Sequence, residues 1–251
     1  MKITATIQVR MGSSRLPGKS LKKISGKSIL EWQIQRIKNS LLIDEIILAT
    51  SNNPQDNILA QEAKRLKVKC YRGSEDNVLG RVHSAFFSSS SDIHLEFYGD
   101  SPFVDGLIID QIIGYLLKNQ DEVDYVSTGL KTTFPPGLEV TAYKAFCLDQ
   151  AEKVTPKGDP LREHVTPNIL KLNNIRTKNI EAPKKLNYPQ FYFEIDYEKD
   201  LMMLNKIIEI VINKYGENFN SEDLIRTAIN NPKIIKENKE LHRNWKQFRI
   251  K

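Results

Sequence analysis

The chain begins MKITATIQVRMGSSRLPGKSL, Met1 to Leu21, and the two halves of that stretch ask for different environments. Ile3, Ala5, Ile7 and Val9 alternate with Thr4, Thr6 and Gln8, the two-residue period of a strand with one apolar face. Directly after it come Arg10, Gly12, Ser13, Ser14, Arg15, Gly18, Lys19 and Ser20. A core strand that ends in three cations interleaved with glycines and hydroxyls reads as an anion-wrapping loop. Gly12 lets backbone approach a phosphate, Ser13 and Ser14 donate hydrogen bonds, Arg15 offers a planar fork, and Lys19 adds a compact charge. A single cation there would be an ordinary surface residue; three are not.

Outward from this stretch, strand and helix patterns alternate. SILEWQIQRIKNS is a helix opened by Ser28 and Glu31 in capping-box spacing. EIILAT (Glu45 to Thr50) is a buried strand and SNNPQDNILAQEAKRLK a second helix. VKCYR, DNVLGRVHSAFFSS, IHLEFYGDSPFVD, GLIIDQIIGYLLKN and DYVST continue as strand, helix, strand with loop, helix and strand, and Ser88 to Ser91 link helix to strand. That alternation predicts an α/β fold: a Rossmann-like, doubly wound, mostly parallel sheet with helices on both faces. From Phe134 the pattern changes. A Pro-Pro-Gly turn leads into a short strand, helical AFCLDQAEK follows, and FYFEIDYEKD is expected to place a late strand over Phe191 to Asp196 before a helix. A small β insertion (134–190) inside a 1–215 domain, and a helical C-terminal extension (216–251), describe the organisation.

The bulk numbers exclude little. The chain has 251 residues, 40% hydrophobic and 27% charged, as in ordinary globular proteins. No apolar run approaches the ~18 residues of a membrane span. The start lacks a signal-peptide pattern, and two isolated cysteines suit a reducing compartment, so a cytoplasmic protein without membrane contact is expected. Net charge of +6 admits an anionic partner. Much of the excess lies in Lys233 to Lys251; that tail carries Trp245 and Phe248 but belongs to no visible stacking platform, so it reads as a solvated helix face and no nucleic acid is expected.

GSSRLPGKS imitates a P-loop but fails its spacing. Five residues, not four, separate Gly12 from Gly18, and Gly26 intervenes before the first helix signal at Ser28. In open α/β sheets ligands bind beyond the carboxyl ends of the strands, where three polar loops fall: the one after Val9, Gly99-Asp100-Ser101, and Asp196. Asp100 is either a metal ligand or the residue that shapes an Asx turn. Glu194 and Asp196, two apart, share one face of their strand, and two acids on one side of a buried strand call for a positive partner. Asp200 reads as a first-turn helix residue favoured by the dipole.

These motifs together resemble the CMP-sugar cytidylyltransferases, the family that activates sialic-acid-like and KDO-like sugar acids, and above all their spore-coat-polysaccharide branch. The resemblance rests on IQVRMGSSRLPGK, YRGSEDNVLGR (Tyr71 to Arg81), YGDSPFVD (Tyr98 to Asp105), PPGLEV (Pro135 to Val140), LREHVTP (Leu161 to Pro167) and FEIDYEKDL (Phe193 to Leu201), in family order over roughly residues 1–205. It implies a homodimeric, Mg2+-dependent enzyme that moves CMP from CTP to a hydroxyl of a small anionic acceptor, a sugar acid or related metabolite, and releases pyrophosphate. Lys19, Arg10 and Arg15 would act on the phosphates. Val9, Gly12, Ser13 and Ser14, with Arg72, Ser74 and Asp76, would bind the nucleotide, and Asp100 and Asp196 the metal. Glu139, Arg162, Glu163, His164 and Glu194 would face the second substrate. For Arg72, Ser74 and Asp76 the residues alone allow an ordinary strand-to-helix loop in which Asp76 caps the helix. The sugar pocket departs from the sialic-acid and KDO branches, so the acceptor does not carry over. Two alternatives stand beside this reading: a nucleotidyltransferase that takes a sugar 1-phosphate and another NTP, and a basic nucleic-acid-binding protein.

Overall fold

The computed structural model describes residues 1–241; Trp245 and Phe248 lie outside the described residues. Strand β1 (Ile3–Gln8) is followed by a hairpin of two-residue strands, β2 (Lys23–Ile24) and β3 (Lys27–Ser28). Then come α1 (Ile29–Lys38), β4 (Glu45–Ser51), α2 (Asn57–Arg65), β5 (Lys69–Gly73), α3 (Val78–Phe87), β6 (Ile93–Tyr98) and α4 (Gly106–Lys118). The later part adds β7 (Tyr125–Ser127), β8 (Thr141–Lys144), α5 (Ala145–Val154), α6 (Thr166–Leu170), β9 (Thr177–Asn179), α7 (Glu198–Tyr215), α8 (Ser221–Asn230) and α9 (Pro232–Ile235).

The sheet runs β5-β4-β1-β6-β8-β7-β9. The first four strands are mutually parallel, and β8 alone runs antiparallel to its neighbours β6 and β7. Strand order therefore reverses between β1 and β6: the chain winds from β1 outward to β5, then returns to the other side of β1. A sheet wound this way opens a crevice at that switch point, beyond the carboxyl ends of the two strands. One apolar cluster covers a face of the sheet with α1, α4 and α7, and a second covers the other face with α3, α5 and α6. The doubly wound, mostly parallel fold expected from the sequence is the one observed.

Local chemistry explains the elements. Ser28 caps α1 by accepting from the Glu31 amide at 3.0 Å, and Asn220 and Asp223 cap α8 reciprocally. The serine run between α3 and β6 is a buried hydroxyl knot: Ser89 and Ser91 bond to each other and both reach Thr4 on β1. The helices after α7 fold back onto the main core. Arg36, 3% exposed, donates to the Val104 carbonyl at 3.0 Å and to that of Phe219, and Asp105 accepts from the Ser221 amide. Among the described residues no helix is long and apolar enough to cross a membrane.

Two departures from the sequence reading stand out. The late strand expected at Phe191 to Asp196 does not form. The segment is extended, but its amides bond to single loop carbonyls, Phe193 to Pro136 at 2.8 Å and Ile195 to Asp100 at 2.9 Å, so no ladder exists. The short polar strand β9, TKN, carried no strand signal and forms because it pairs with β7.

The extended segment can lie where it does because of one glycine. Pro135 to Leu138 make a turn with Pro136 second and Gly137 third, at φ +95°, closed by the Leu138 amide on the Pro135 carbonyl. A Cβ on Gly137 would sit 2.5 Å from the Glu194 nitrogen. Gly137→Ala is expected to destabilise the fold by about 2–3 kcal/mol through strain and overpacking, measured as a lower urea midpoint, whereas Gly114→Ala, with open space around it, should not.

Candidate active site

The loop after β1 is built by bonds that fix its backbone from below. Asp56, fully buried, accepts from the Met11 amide at 2.8 Å, and the Ser51 hydroxyl holds its other oxygen. The Met11 carbonyl takes the amides of Ser13 and Gly18, and Leu16 plugs the loop into the core. Gly18 at φ +67° then turns the chain into a single 3-10 turn, Lys19–Leu21. Lys19 thus opens no α-helix, and the P-loop alternative is excluded; α1 begins ten residues later, after the hairpin.

Lys19 projects across the crevice. Its ammonium lies 2.9 Å from Asp100 Oδ2, 3.2 Å from Asp196 Oδ1 and 3.0 Å from the Ile195 carbonyl. Arg15 reaches the same Asp196 oxygen at 2.6 Å and lies over the Tyr197 ring. Asp196 is 5% exposed. Burial alone would push its carboxyl up; Lys19 and Arg15 outweigh that and hold it below the usual range. Burial would likewise lower the Lys19 ammonium, and Asp100 and Asp196 keep it raised. Asp196 and Lys19 are therefore charged near neutral pH. Asp200 orients the second acid, since its Oδ2 accepts from the amides of Asp196 and Tyr197 while its Oδ1 takes the Asn238 amide group. It does sit in the first turn of α7, as the sequence reading had it, and it closes a capping box there.

These groups occupy one end of a cleft of about 890 Å³, within the range that holds small-molecule ligands. Val9, Arg10, Ser13, Ser14, Arg15 and Lys19 line it at the loop end. Arg10 is half-exposed, 3.6 Å from Glu75. Gly12, expected to bind the nucleotide, is exposed and is not among the residues that line the cleft; a Cβ on it would crowd Gln55 and Glu75. Glu139, Glu163, His164 and Glu194 also face the cleft, so Glu194 and Asp196 share a side although they share no strand.

Other expected residues are placed elsewhere. Arg162 is a buried strut, tying the Thr155 carbonyl, Glu152 and the Asn77 side chain together. Its side chain turns inward because a 3-10 turn rotates successive residues by a third of a circle, leaving Glu163 outward. Arg72 is spent on the carbonyls of Ser51 and Asn53 and on Asn57, and Ser74 accepts from the Asn77 amide. Asp76 is exposed and does not cap α3; Asn77 does, through the Gly80 amide. None of these four lines the cleft.

Two buried, charged cleft residues went unread in the sequence. Arg81 is 4% exposed, and burial with Arg10 nearby brings its guanidinium down to about 10. It donates to the Ser74 and Glu75 carbonyls, while its Nε–H has no acceptor among the described residues. Glu96, also 4% exposed, accepts from Gln8 at 2.5 Å, Thr166 at 3.0 Å and Tyr143 at 3.4 Å; burial nevertheless pushes its carboxyl up to about 7. The chain of bonds continues from Tyr143 to His94 and Thr6. An acid on the inward face of IHLEFY was the available signal for Glu96, since a buried strand seldom carries one.

The residues also fit a divalent ion. Two carboxylate oxygens and a carbonyl converge on one cationic atom, a hard-oxygen set suited to Mg2+ if phosphate oxygens complete the shell. Among the described residues no group of three acidic, His or Cys side chains could hold a metal alone.

Comparison with known proteins shows the family. The family described as Cytidylyltransferase matches residues 4–233, and the chain belongs to it. A Methanocaldococcus jannaschii protein, "Uncharacterized protein MJ1063", is 36% identical over 204 residues, 81% of this chain and 82% of that one. The Bacillus subtilis "Spore coat polysaccharide biosynthesis protein SpsF" is 28% identical over 233 residues, 90% and 93% of the two chains. The solved structure of a cytidylyltransferase from Leptospira borgpetersenii superposes with a TM-score of 0.86 at 26% identity, covering 97% of this chain and all of that one.

The buried pair His94 and Glu96 gives a pH signature of opposite signs. His94, held down to about 3 by burial, must take up a proton when the chain unfolds below about pH 6.5, so stability falls as pH drops through that region. Glu96, neutral up to about 7, must release one on unfolding above its ordinary pKa near 4.5, so its contribution falls as pH rises from 4.5 to 7. Urea unfolding of Glu96→Gln across pH 4.5–8 is expected to lose the second decline and keep the first.

Proposed function

We propose that the protein transfers a cytidylyl group from CTP to a hydroxyl of a small hydroxylated acceptor, of the sugar or sugar-acid kind, and releases pyrophosphate. The convergence of Lys19, Asp100 and Asp196 at the switch point carries this reading. Such a transfer asks little covalent chemistry of the protein. It needs the α-phosphate held in line with an acceptor hydroxyl and the charge on the departing phosphates balanced. Asp100 and Asp196 would hold Mg2+, which neutralises phosphate charge and fixes oxygen geometry when bound.

The chain's own residues then divide the work. With a triphosphate in the cleft, the Lys19 ammonium exchanges carboxylate for phosphate oxygens while staying in a mostly buried position, 14% exposed at its side chain. Arg15 and Arg10 extend that positive wall outward, and the Ser13 and Ser14 hydroxyls, on the braced loop, are donors for the same oxygens. The Val9 end of β1, 5% exposed, supplies a dry floor. Arg81, with an unused buried N–H, adds a fixed donor at this end. The family's name and the spore-coat relative support the cytidylyl group as cargo and glycan precursors as its setting.

Removing the metal-facing carboxylate without changing its shape is the decisive variant. Asp100→Asn should lower CTP turnover at least a hundredfold, about 3 kcal/mol of activation energy, with CTP binding largely kept; full turnover would refute the assignment. Thermal-shift ranking with Mg2+ should place CTP above UTP, ATP and GTP, and a preference for another NTP would favour a sugar-1-phosphate nucleotidyltransferase.

A further inference from the structure

Asp196 is fixed from two directions. Its Oδ1 accepts from Lys19 and Arg15, and its backbone belongs to the extended segment before α7, which has no strand ladder to hold it. Single bonds do that work: the Phe193 amide on the Pro136 carbonyl, the Ile195 amide on the Asp100 carbonyl, and the Asp196 amide on Asp200 Oδ2. In the exchange proposed above, Lys19 leaves the carboxylates for phosphate oxygens. Asp100 and Asp196 then converge on one small ion only if the backbone keeps them there, since their like charges drive them apart.

Asn238 fastens that backbone. It ends a 3-10 turn, Lys236–Asn238, that follows α9, and it is buried. Its Nδ2 group donates to Asp200 Oδ1 at 2.8 Å and to the Tyr192 carbonyl at 3.2 Å. One amide group thus bridges the two ends of the stretch 192–200, with Asp196 between them. The turn is held against α7, where Lys206 pairs with both oxygens of Glu237 at 2.8 and 2.9 Å. Groups that lie behind metal ligands in this way set the orientation of those ligands. The stretch that matches the family ends at residue 233, five short of Asn238, so the family likeness leaves this residue without a role.

We propose that Asn238 is a positioning residue for the metal-facing carboxylate of Asp196, acting through Asp200. The inference rests on the cytidylyl-transfer reading, in which Asp100 and Asp196 hold Mg2+.

The test titrates Mn2+ into the full chain at saturating CTP and follows water-proton relaxation, which reports metal carried on the slowly tumbling protein. Asn238→Leu, close in shape but without the amide, should raise the half-saturating Mn2+ about tenfold, the low end of what outer partners of metal ligands contribute. Leu224→Ala, on the buried face of α8, lowers stability without removing a hydrogen-bond partner of Asp200 and should leave that value unchanged. Asn238→Leu placed on Asp200→Asn should add little, because residues that act in series are not additive. Wild-type Mn2+ affinity in Asn238→Leu, an equal loss in Leu224→Ala, or full additivity on Asp200→Asn would overturn the inference. Asn238→Ser, which keeps a hydroxyl on a shorter arm, gives the same reading should Asn238→Leu fold poorly. The two readings fail differently: a CTP-dependent Mn2+ site indifferent to Asn238 removes only the positioning role, whereas a wild-type chain that holds no Mn2+ with CTP removes the metal-dependent transfer itself.

Discussion

One ammonium group organises this molecule's working end. Lys19 comes from the loop after the first strand, Asp100 from the loop after β6, and Asp196 from a segment 177 residues beyond Lys19. Each acid alone would resist burial, and the two together would repel. With Lys19 between them, and Arg15 behind Asp196, three loops close on one point. Losing one member of such a buried set typically costs 3–5 kcal/mol because the remaining charge is stranded. The same set that steadies the cleft without ligand is also what a metal-bound polyphosphate would engage, so stability and binding draw on one cluster of charges.

The sheet makes that cluster possible. Reversal of strand order between β1 and β6 leaves a gap at their carboxyl ends, and the Gly99 amide bonds to the Gln8 carbonyl just there, bringing the two loops side by side. The third contributor is held by the C-terminal part. Asn238 bonds to Asp200 and to the Tyr192 carbonyl, and Asp200 bonds to the Asp196 amide. Helices that look like an appendage in sequence are thus connected, through two hydrogen-bonded side chains, to a carboxylate in the cleft. Packing of the last described turn and geometry of the acidic pair belong to one network.

Much of this was readable in the sequence for physical reasons. Strict alternation in ITATIQV, helix caps such as Ser28 and the strand-helix rhythm specify a parallel sheet, and cations after a buried strand can only serve a ligand or another loop. Asp100 and Asp196 were legible because acids at strand ends and in apolar surroundings need a reason. What escaped was whatever depended on rotation about a turn or on long-range pairing. Arg162 and Glu163 are adjacent, yet a 3-10 turn sends one inward and the other to the cleft. Arg72 has the charge of a ligand-binding residue but finds three partners in neighbouring loops. FYFEID alternates like a strand and is extended like one, but among the described residues it has no neighbouring strand to pair with. Glu96 carries the opposite lesson: an acid between apolar neighbours is visible in the sequence, but only the fold shows that Gln8, Tyr143 and Thr166 surround it in the cleft.

The most direct test of the account is a crystal structure with CTP and Mn2+, read by anomalous scattering. The account predicts a metal peak about 2.1–2.3 Å from oxygens of both Asp100 and Asp196, with Lys19 moved from the carboxylates onto phosphate oxygens. A metal held by the phosphates away from both acids, or a nucleotide bound with Lys19 still locked between them, would contradict it.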